Sequence, residues 1–126
     1  MITDLYGQSH TQGKMNPEVK KIWLKALRSG EYEQAYSALK QGDKFCCLGV
    51  LCDLHAKETG GSWDDAIYNE RFMYLNDPGG LPSEVQQWAG LRSRYPYTPK
   101  KVINLASMND AGKTFEEIAE VIEEEL

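Results

Sequence analysis

The sequence predicts a single compact α+β domain, mainly helical, with a short β-hairpin and a central buried helix over residues 46–56. Three observations lead to this fold class. The chain has 126 residues, 41% of them hydrophobic, which is enough for one buried core but not for two ordinary domains. Several segments place apolar residues at helical spacing, and one segment is apolar on nearly every side. A Gly-containing turn between aromatic stretches adds the hairpin.

The globular domain is expected to cover residues 15–126. Residues 1–14 are polar, contain glycine and show no periodicity, so they are predicted to form a flexible N-terminal extension. That stretch also lacks the basic start and apolar centre of a signal peptide. No segment approaches the roughly 18 to 20 apolar residues that span a bilayer. We therefore expect a cytoplasmic protein that makes no contact with a membrane.

The first helix has a well-marked start. Asn16 is a preferred N-cap residue, Pro17 suits the first helical position, and Glu18 places an acid in the first turn. Gly30 is expected to end the helix. Five apolar residues share one face at helical spacing: Val19, Ile22, Trp23, Ala26 and Leu27.

The stretch EYEQAYSALKQGDKFC, residues 31–46, is compatible with two structures. The spacing of Tyr32, Tyr36 and Leu39 fits a helix, whereas the aromatic content and the QGD turn fit a hairpin equally well. We expect an extended hairpin before Cys46.

The run CCLGVLCDLHA, residues 46–56, is apolar on nearly every side until Asp53. Such a pattern is typical of a helix that is buried all round, and Gly60 and Gly61 are expected to close it. Gly49 lies inside this helix, so we interpret it as a position of close packing against another part of the backbone.

The second half of the domain contains one clear helix before the C-terminal one. Pro82 is expected in its first turn and Gly90 at its end, with Val85, Trp88 and Ala89 on one face. A weak strand or helical turn is expected at residues 72–75, and RSRYPYTPKK, residues 92–101, is expected to be a loop. Residues 102–106 fit either a strand or the first turns of a helix.

The sequence AGKT at residues 111–114 has the form of the end of a phosphate-binding loop. A complete loop would need a glycine where Ser107 stands, and the charge of Asp110 would repel phosphate. Thr114 and Glu117 instead have the spacing of a capping box, which predicts the start of the final helix. Asn109 and Asp110 are expected to form a turn before it.

The cysteines predict neither disulfides nor a metal site. An odd number of cysteines in a cytoplasmic chain argues against disulfides. On a helix, Cys52 and His55 lie about 60° apart, whereas Cys46 and Cys47 point elsewhere, so four zinc ligands do not converge. We expect no metal and no cofactor. Cys46 or Cys47 at the helix N-terminus remains a candidate nucleophile, although His55 lies roughly 12 Å further along the same helix.

The formal net charge of -5 disfavours nonspecific binding to nucleic acid or to an anionic membrane. The charge is nevertheless segregated. Basic residues concentrate in the first helix and in residues 92–101, and glutamates concentrate in residues 116–125. The acidic end is compatible with a solvated helix face, with a mimic of DNA or with a docking face for a basic partner.

Several segments together resemble an uncharacterised family of small proteins encoded by phages, prophages and plasmids. The segments are FCCLGVLCDLH, LPSEVQQWAGL, and LNDPGG to LASMNDAGKTFEEIAEVIEE. The resemblance covers roughly residues 15–126 and implies an origin in a mobile element, so that the protein would act in a bacterial host cell. It brings no family activity and assigns no catalytic residue.

We hypothesise a non-enzymatic binding module that acts as an anti-defence factor, by binding a host protein or by sequestering a small anionic, nucleotide-like ligand. Arginine forks bind phosphate, tyrosines stack on bases, and polar groups read base edges. The predicted ligand-binding residues are Arg92, Arg94, Tyr95, Tyr97, Lys100, Lys101, Asn109, Asp110 and Lys113. The alternative is a small enzyme with Cys46 or Cys47 as nucleophile and Asp110 as orienting group.

Overall fold

A computed structural model describes residues 14–126, and within these residues the chain forms an α+β domain of five helices and one small sheet. The expectation for residues 1–14 therefore falls almost wholly outside the described residues. The elements, in chain order, are α1 (Pro17–Arg28), β1 (Glu33–Gln34), β2 (Lys40–Gln41), β3 (Lys44–Phe45), α2 (Cys47–Thr59), β4 (Arg71–Phe72), α3 (Ser83–Ala89), α4 (Leu105–Asp110) and α5 (Phe115–Glu125). None of the helices in this part of the chain is long and apolar enough to cross a membrane.

Helix α1 begins as its sequence predicts. The side chain of Asn16 accepts hydrogen bonds from the backbone N–H groups of Glu18 and Val19, at 2.9 and 3.3 Å. Its buried face reaches the centre of the core, where Trp23 is completely buried and donates from Nε1 to the carbonyl of Cys47 at 3.0 Å. An ion pair of 2.8 Å between Arg28 and Glu123 joins α1 to α5.

The sheet has the order β1-β3-β2-β4. Strands β2 and β3 form the expected antiparallel hairpin, with Gly42 in its turn at a φ of 58°. Strand β1 pairs in parallel with β3, and β4 pairs antiparallel with β2 on the other side. The hairpin prediction is therefore confirmed, and β4 lies at the start of the region where a weak strand or helical turn was expected.

Helix α2 is the central element, and its first turns are buried on all sides. It begins one residue later than predicted, because Cys46 is the N-cap and its Sγ accepts from the N–H of Gly49 at 3.4 Å. It also runs to Thr59, where Gly60 in the left-handed region ends it. A Cβ at Gly49 would lie 1.8 Å from the carbonyl oxygen of Leu39, so the close-packing interpretation is confirmed.

Two boundaries in the second half differ from the sequence prediction. Pro82 is extended, with a ψ of 156°, and therefore caps α3 rather than forming its first turn, while Gly90 ends the helix as expected. Residues 102–106 contain the start of a helix, because α4 begins at Leu105. Asn109 and Asp110 consequently lie in the last turn of α4 and do not form the predicted turn.

The AGKT sequence is the approach to helix α5. The Thr114 hydroxyl accepts from the N–H of Glu117 at 3.1 Å, and the Glu117 carboxylate accepts from the N–H of Thr114 at 2.9 Å. These two bonds are the predicted capping box. The apolar face of α5 then closes the core with Phe115, Ile118, Ala119 and Ile122.

Candidate functional site

The exposed apolar side chains of residues 14–126 concentrate in one segment. Four of the seven large hydrophobic residues that are exposed lie between α3 and α4: Tyr95, Tyr97, Val102 and Ile103. Val102 is the most exposed of all seven, at 70%. Exposed apolar groups that cluster mark contact sites more often than isolated ones do, so these residues are candidates for a contact site. We call residues 92–103 the aromatic–basic segment.

Hydrogen bonds give this segment a defined shape. Thr98 is completely buried, donates from its N–H to the carbonyl of Ile103 at 2.9 Å, and accepts from the N–H of Val102 at 2.7 Å. Its hydroxyl also accepts from the N–H of Ile103 at 3.0 Å. The bonds close a tight loop in which Val102 has a φ of 53°, a conformation that a β-branched residue adopts only under constraint. Thr98 therefore anchors a loop that presents residues 99–102 to solvent.

The predicted cations Lys100 and Lys101 lie at the tip of this loop, and both are exposed. Their backbone N–H groups donate to one carboxylate oxygen of Glu125, at 3.1 and 3.4 Å. Neither ammonium group makes an ion pair with another residue of the described chain. Arg92 is also exposed at the start of the segment, so the positive charge extends along it.

Arg94 lies in the same segment but is committed to the fold. Its Nε and Nη2 atoms donate to the two carboxylate oxygens of Asp77 at 2.7 and 2.6 Å, and its guanidinium lies 4.8 Å from the ring centre of Tyr95. Asp77 also accepts from the N–H groups of Gly79 and Gly80. The fork that was expected to bind phosphate is thus directed at a carboxylate of the same chain.

Asp77 was not among the predicted site residues, although it determines what Arg94 does. Burial by itself would raise the pKa of this carboxyl, but hydrogen bonds from Arg94 and from the N–H groups of Gly80 and Gly79 outweigh burial. The pKa of Asp77 is therefore lowered, and the carboxylate stays ionised beside Arg94.

Asn109 lies in the interior, unlike the aromatic–basic segment. Its side chain is completely buried; Oδ1 accepts from Nε2 of Gln34 at 2.9 Å and from the N–H of Cys47 at 3.1 Å, and Nδ2 donates to the carbonyl of Ala35 at 2.8 Å. Asp110 accepts from the N–H of Ser37 at 2.8 Å. We call these residues, 34–37 with Cys47, Asn109 and Asp110, the Asn109 junction.

The predicted ligand-binding residues thus do not form one site. Arg92, Tyr95, Tyr97, Lys100 and Lys101 lie exposed in or near the loop, and Asn109 lies in the interior. Lys113 is exposed beyond α4, and its carbonyl accepts from Gln34 at 2.8 Å. The structure adds Val102 and Ile103 to the exposed group. The run PKKVI, residues 99–103, could have indicated that Val102 and Ile103 are exposed. It contains no acid, and its two apolar residues follow two lysines without the spacing of a buried helix face.

The three cysteines are buried thiols, and Cys47 belongs to the Asn109 junction. Burial raises the pKa of Cys46 to about 11 and raises the pKa of Cys47 and Cys52 well above that of an ordinary cysteine. The charge of Asp110, the proposed orienting group, raises the pKa of Cys46 further. These environments disfavour the thiolate that a nucleophile requires.

His55 is engaged elsewhere in the core. Its Nδ1 forms a hydrogen bond of 2.7 Å with the hydroxyl of Tyr74, and its ring packs edge-on against Trp88 at 5.1 Å. Desolvation lowers its pKa, so the neutral form is favoured. In the part of the chain that the structure describes, no three His, Cys, Asp or Glu side chains are placed to hold a metal ion together.

Comparison with known proteins identifies one family. Residues 15–126 match the family described as Domain of unknown function (DUF8296), and because this match covers most of the chain, the protein belongs to that family. No curated protein and no solved structure matches the chain. The family boundary coincides with the start of the globular domain that the sequence predicts.

Proposed function

We propose that this family member is a non-enzymatic binding module whose aromatic–basic segment contacts an acidic surface of a protein partner. The observation that carries the proposal is the exposure of Tyr95, Tyr97, Val102 and Ile103 beside Lys100 and Lys101. Aromatic residues are enriched in protein interfaces, and charges at the rim steer the partner and fix its orientation.

A protein partner suits this segment better than a small anionic ligand. Small ligands bind in concave sites that remove most of their surface from water, whereas the side chain of Val102 lies 70% exposed at a loop tip. The arginine fork that would hold a nucleotide phosphate, that of Arg94, is bonded to Asp77 through two of its nitrogens. The nucleotide-like ligand therefore has less support.

The charge of the segment supports an acidic partner. Residues 92–103 contain no acidic residue. Arg94 is paired with Asp77, but Lys100 and Lys101 form no ion pair within residues 14–126. Glu125 is the carboxylate that approaches the loop, and it is bonded to the backbone of Lys100 and Lys101. The resemblance to proteins of mobile elements extends the proposal to a host protein, and specifically to an anti-defence role.

The loop conformation gives the proposed contact a further advantage. Thr98 and its hydrogen bonds fix the backbone of residues 98–103 before any partner binds. A preformed loop loses less conformational entropy on binding than one that must order itself. We therefore expect the segment to bind without a large rearrangement.

Site-specific photo-crosslinking in bacterial cells tests the proposal. A photoreactive amino acid at Val102 should crosslink to one specific cellular protein, whereas the same group at Tyr68, exposed at 64% in the loop before β4, should not. Adding Lys100→Glu and Lys101→Glu to the Val102 probe should abolish the crosslink, while Lys21→Glu and Lys44→Glu, at exposed positions outside the segment, should leave it intact.

Two outcomes would overturn the proposal. One is a Val102 probe that yields the same products as the Tyr68 probe, since the segment would then contact proteins only by chance. The other is a specific crosslink that survives both lysine reversals, because the contact would not depend on the basic charge of the loop.

A further inference from the structure

Helix α1 carries a second, independent surface on its outward side. One side of α1 packs on the core through Trp23 and Leu27, and another contacts α5, where Lys20 donates to the carbonyl of Glu123 at 3.0 Å. The remaining stripe consists of Glu18, Ile22, Lys25 and Ser29, which recur at helical spacing. Ile22 is the apolar residue in this stripe and is only half-buried.

Ile22 stands between two open grooves. The first, of about 300 Å³, is bounded by Ile22, Val19 and Trp88. The second, of about 210 Å³, is bounded by Ile22, Leu54 of α2 and Tyr32. A half-buried isoleucine with an apolar depression on each side has the form of a knob next to two holes.

The two grooves differ in charge. Glu18 and Glu58 lie at the first groove. Lys25 and Lys57 lie at the second, together with Glu31. Lys57 is 3.4 Å from Asp53, whereas Lys25 has no ion pair within residues 14–126. The first groove is therefore acidic. In the second, Asp53 offsets Lys57 and Glu31 offsets Lys25 in formal charge, but Lys25 is not itself bonded to an acid of the described chain.

The spacing along α1 makes this surface complementary to itself. Glu18 is four residues before Ile22 and Lys25 is three residues after it, which corresponds to about 6 Å and 4.5 Å along the helix axis. If a second α1 lies antiparallel across the first with a two-fold axis beside Ile22, each Glu18 faces the Lys25 of the second copy. In such an interface the same patch is used by both subunits, so each favourable contact occurs twice.

We propose that the occupant of this surface is a second copy of the chain, so that the protein forms a two-fold symmetric homodimer through α1. Ile22 of each copy enters a groove of the other, where it leaves water and gains contact with Leu54 or Trp88. Glu18 of each copy meets Lys25 of the other, which fixes the antiparallel orientation. This surface is separate from the aromatic–basic segment, and the proposal does not depend on it.

A charge-exchange experiment tests the dimer. Glu18→Lys places two lysine pairs across the two-fold axis, and Lys25→Glu places two glutamate pairs there, so each variant alone should be monomeric. Mixing the two variants restores both opposite-charge pairs in a heterodimer. Light scattering over a concentration series should therefore give a dimer for the wild type, a monomer for each variant and a dimer for the mixture.

Crosslinking at the axis provides a second measurement. Ile22→Cys should form an intermolecular disulfide under mild oxidation, whereas Glu124→Cys, on α5, should not. Each variant is first checked by circular dichroism, so that loss of the dimer is not confused with loss of the fold.

The results decide whether a second copy of the chain occupies this surface. A wild type that stays monomeric throughout overturns the proposal, as does a dimer that survives either single charge reversal. Variants that fail to recombine on mixing would also overturn it, because Glu18 and Lys25 would then not face each other. A mixed complex at the dimer mass, with a disulfide only at position 22, supports it.

Discussion

The Asn109 junction includes the last turn of α4, and the aromatic–basic segment precedes α4, but the two regions use polar groups in opposite ways. In the junction, both Oδ1 and Nδ2 of Asn109 form hydrogen bonds with other residues of the chain. In the segment, the ammonium groups of Lys100 and Lys101 are presented to solvent. The difference teaches that two neighbouring polar stretches can have different roles: one stabilises the fold, and the other, as we propose, contacts a partner.

Asn109→Ala should have the largest effect on stability. It would leave the N–H of Cys47 and the carbonyl of Ala35 buried without their partners, and each such loss costs about 1 to 3 kcal/mol. We expect the free energy of unfolding to fall by about 3 kcal/mol or more, as measured by urea denaturation. Asp110→Ala is the matched control and should cost less, because Asp110 is exposed and accepts from the N–H of Ser37. Equal losses in both variants would contradict the distinction.

The reactivity of the three buried thiols provides a second measurement of the stability that Asn109 contributes. Cys46, Cys47 and Cys52 are at most 5% exposed, so a thiol reagent should reach them only when the domain opens. A loss of about 3 kcal/mol raises the open population roughly 100-fold, and the reaction rate of Asn109→Ala should rise by a similar factor. A thiol that reacts rapidly in the native wild type would instead favour the enzyme hypothesis.

The Asp77–Arg94 pair should give an intermediate effect. Arg94 is 47% exposed, so solvent screening reduces the value of the pair, and Asp77→Asn should cost about 1 kcal/mol at neutral pH. Because the pKa of Asp77 is lowered in the folded state, its contribution is present above the unfolded pKa and is lost as pH falls through the folded pKa. The difference between wild type and Asp77→Asn in urea denaturation should therefore vanish in acid. A difference that is independent of pH would exclude the ionised pair as its cause.

The combined variant Lys100→Glu and Lys101→Glu should have the smallest effect on stability. Both side chains are exposed, and substitutions at such positions usually change the free energy of unfolding by less than about 0.5 kcal/mol. Crosslinking from Val102 should nevertheless be lost. A large loss of stability would show that the loop supports the fold, and the contrast with the junction would disappear.

The sequence predictions were correct for features that depend on residues close together in the chain. The caps of α1 and α5 depend on residues two or three positions apart, so Asn16 and the pair Thr114–Glu117 could be recognised from spacing alone. The buried character of α2 and the close packing of Gly49 also followed from composition. The predicted flexibility and binding roles stay predictions.

The role of Asn109 could not be predicted, because its partners are distant in sequence. Gln34, Ala35 and Cys47 precede it by 75, 74 and 62 residues. The local sequence Asn-Asp-Ala-Gly favours a turn, yet these contacts stabilise a last helical turn instead. Arg94 shows the same limitation at shorter range, since its carboxylate partner lies 17 residues earlier.

The two ends of the part of the chain that the structure describes lie close together. Met15 and Leu126 are both buried, and the N–H of Met15 donates to the carbonyl of Leu126 at 3.3 Å. A short peptide that links residue 126 to residue 14 would close the backbone into a ring without displacing α1 or α5. Such a ring is open to circular permutation at Gly61 and Ser62, which are exposed beyond the end of α2.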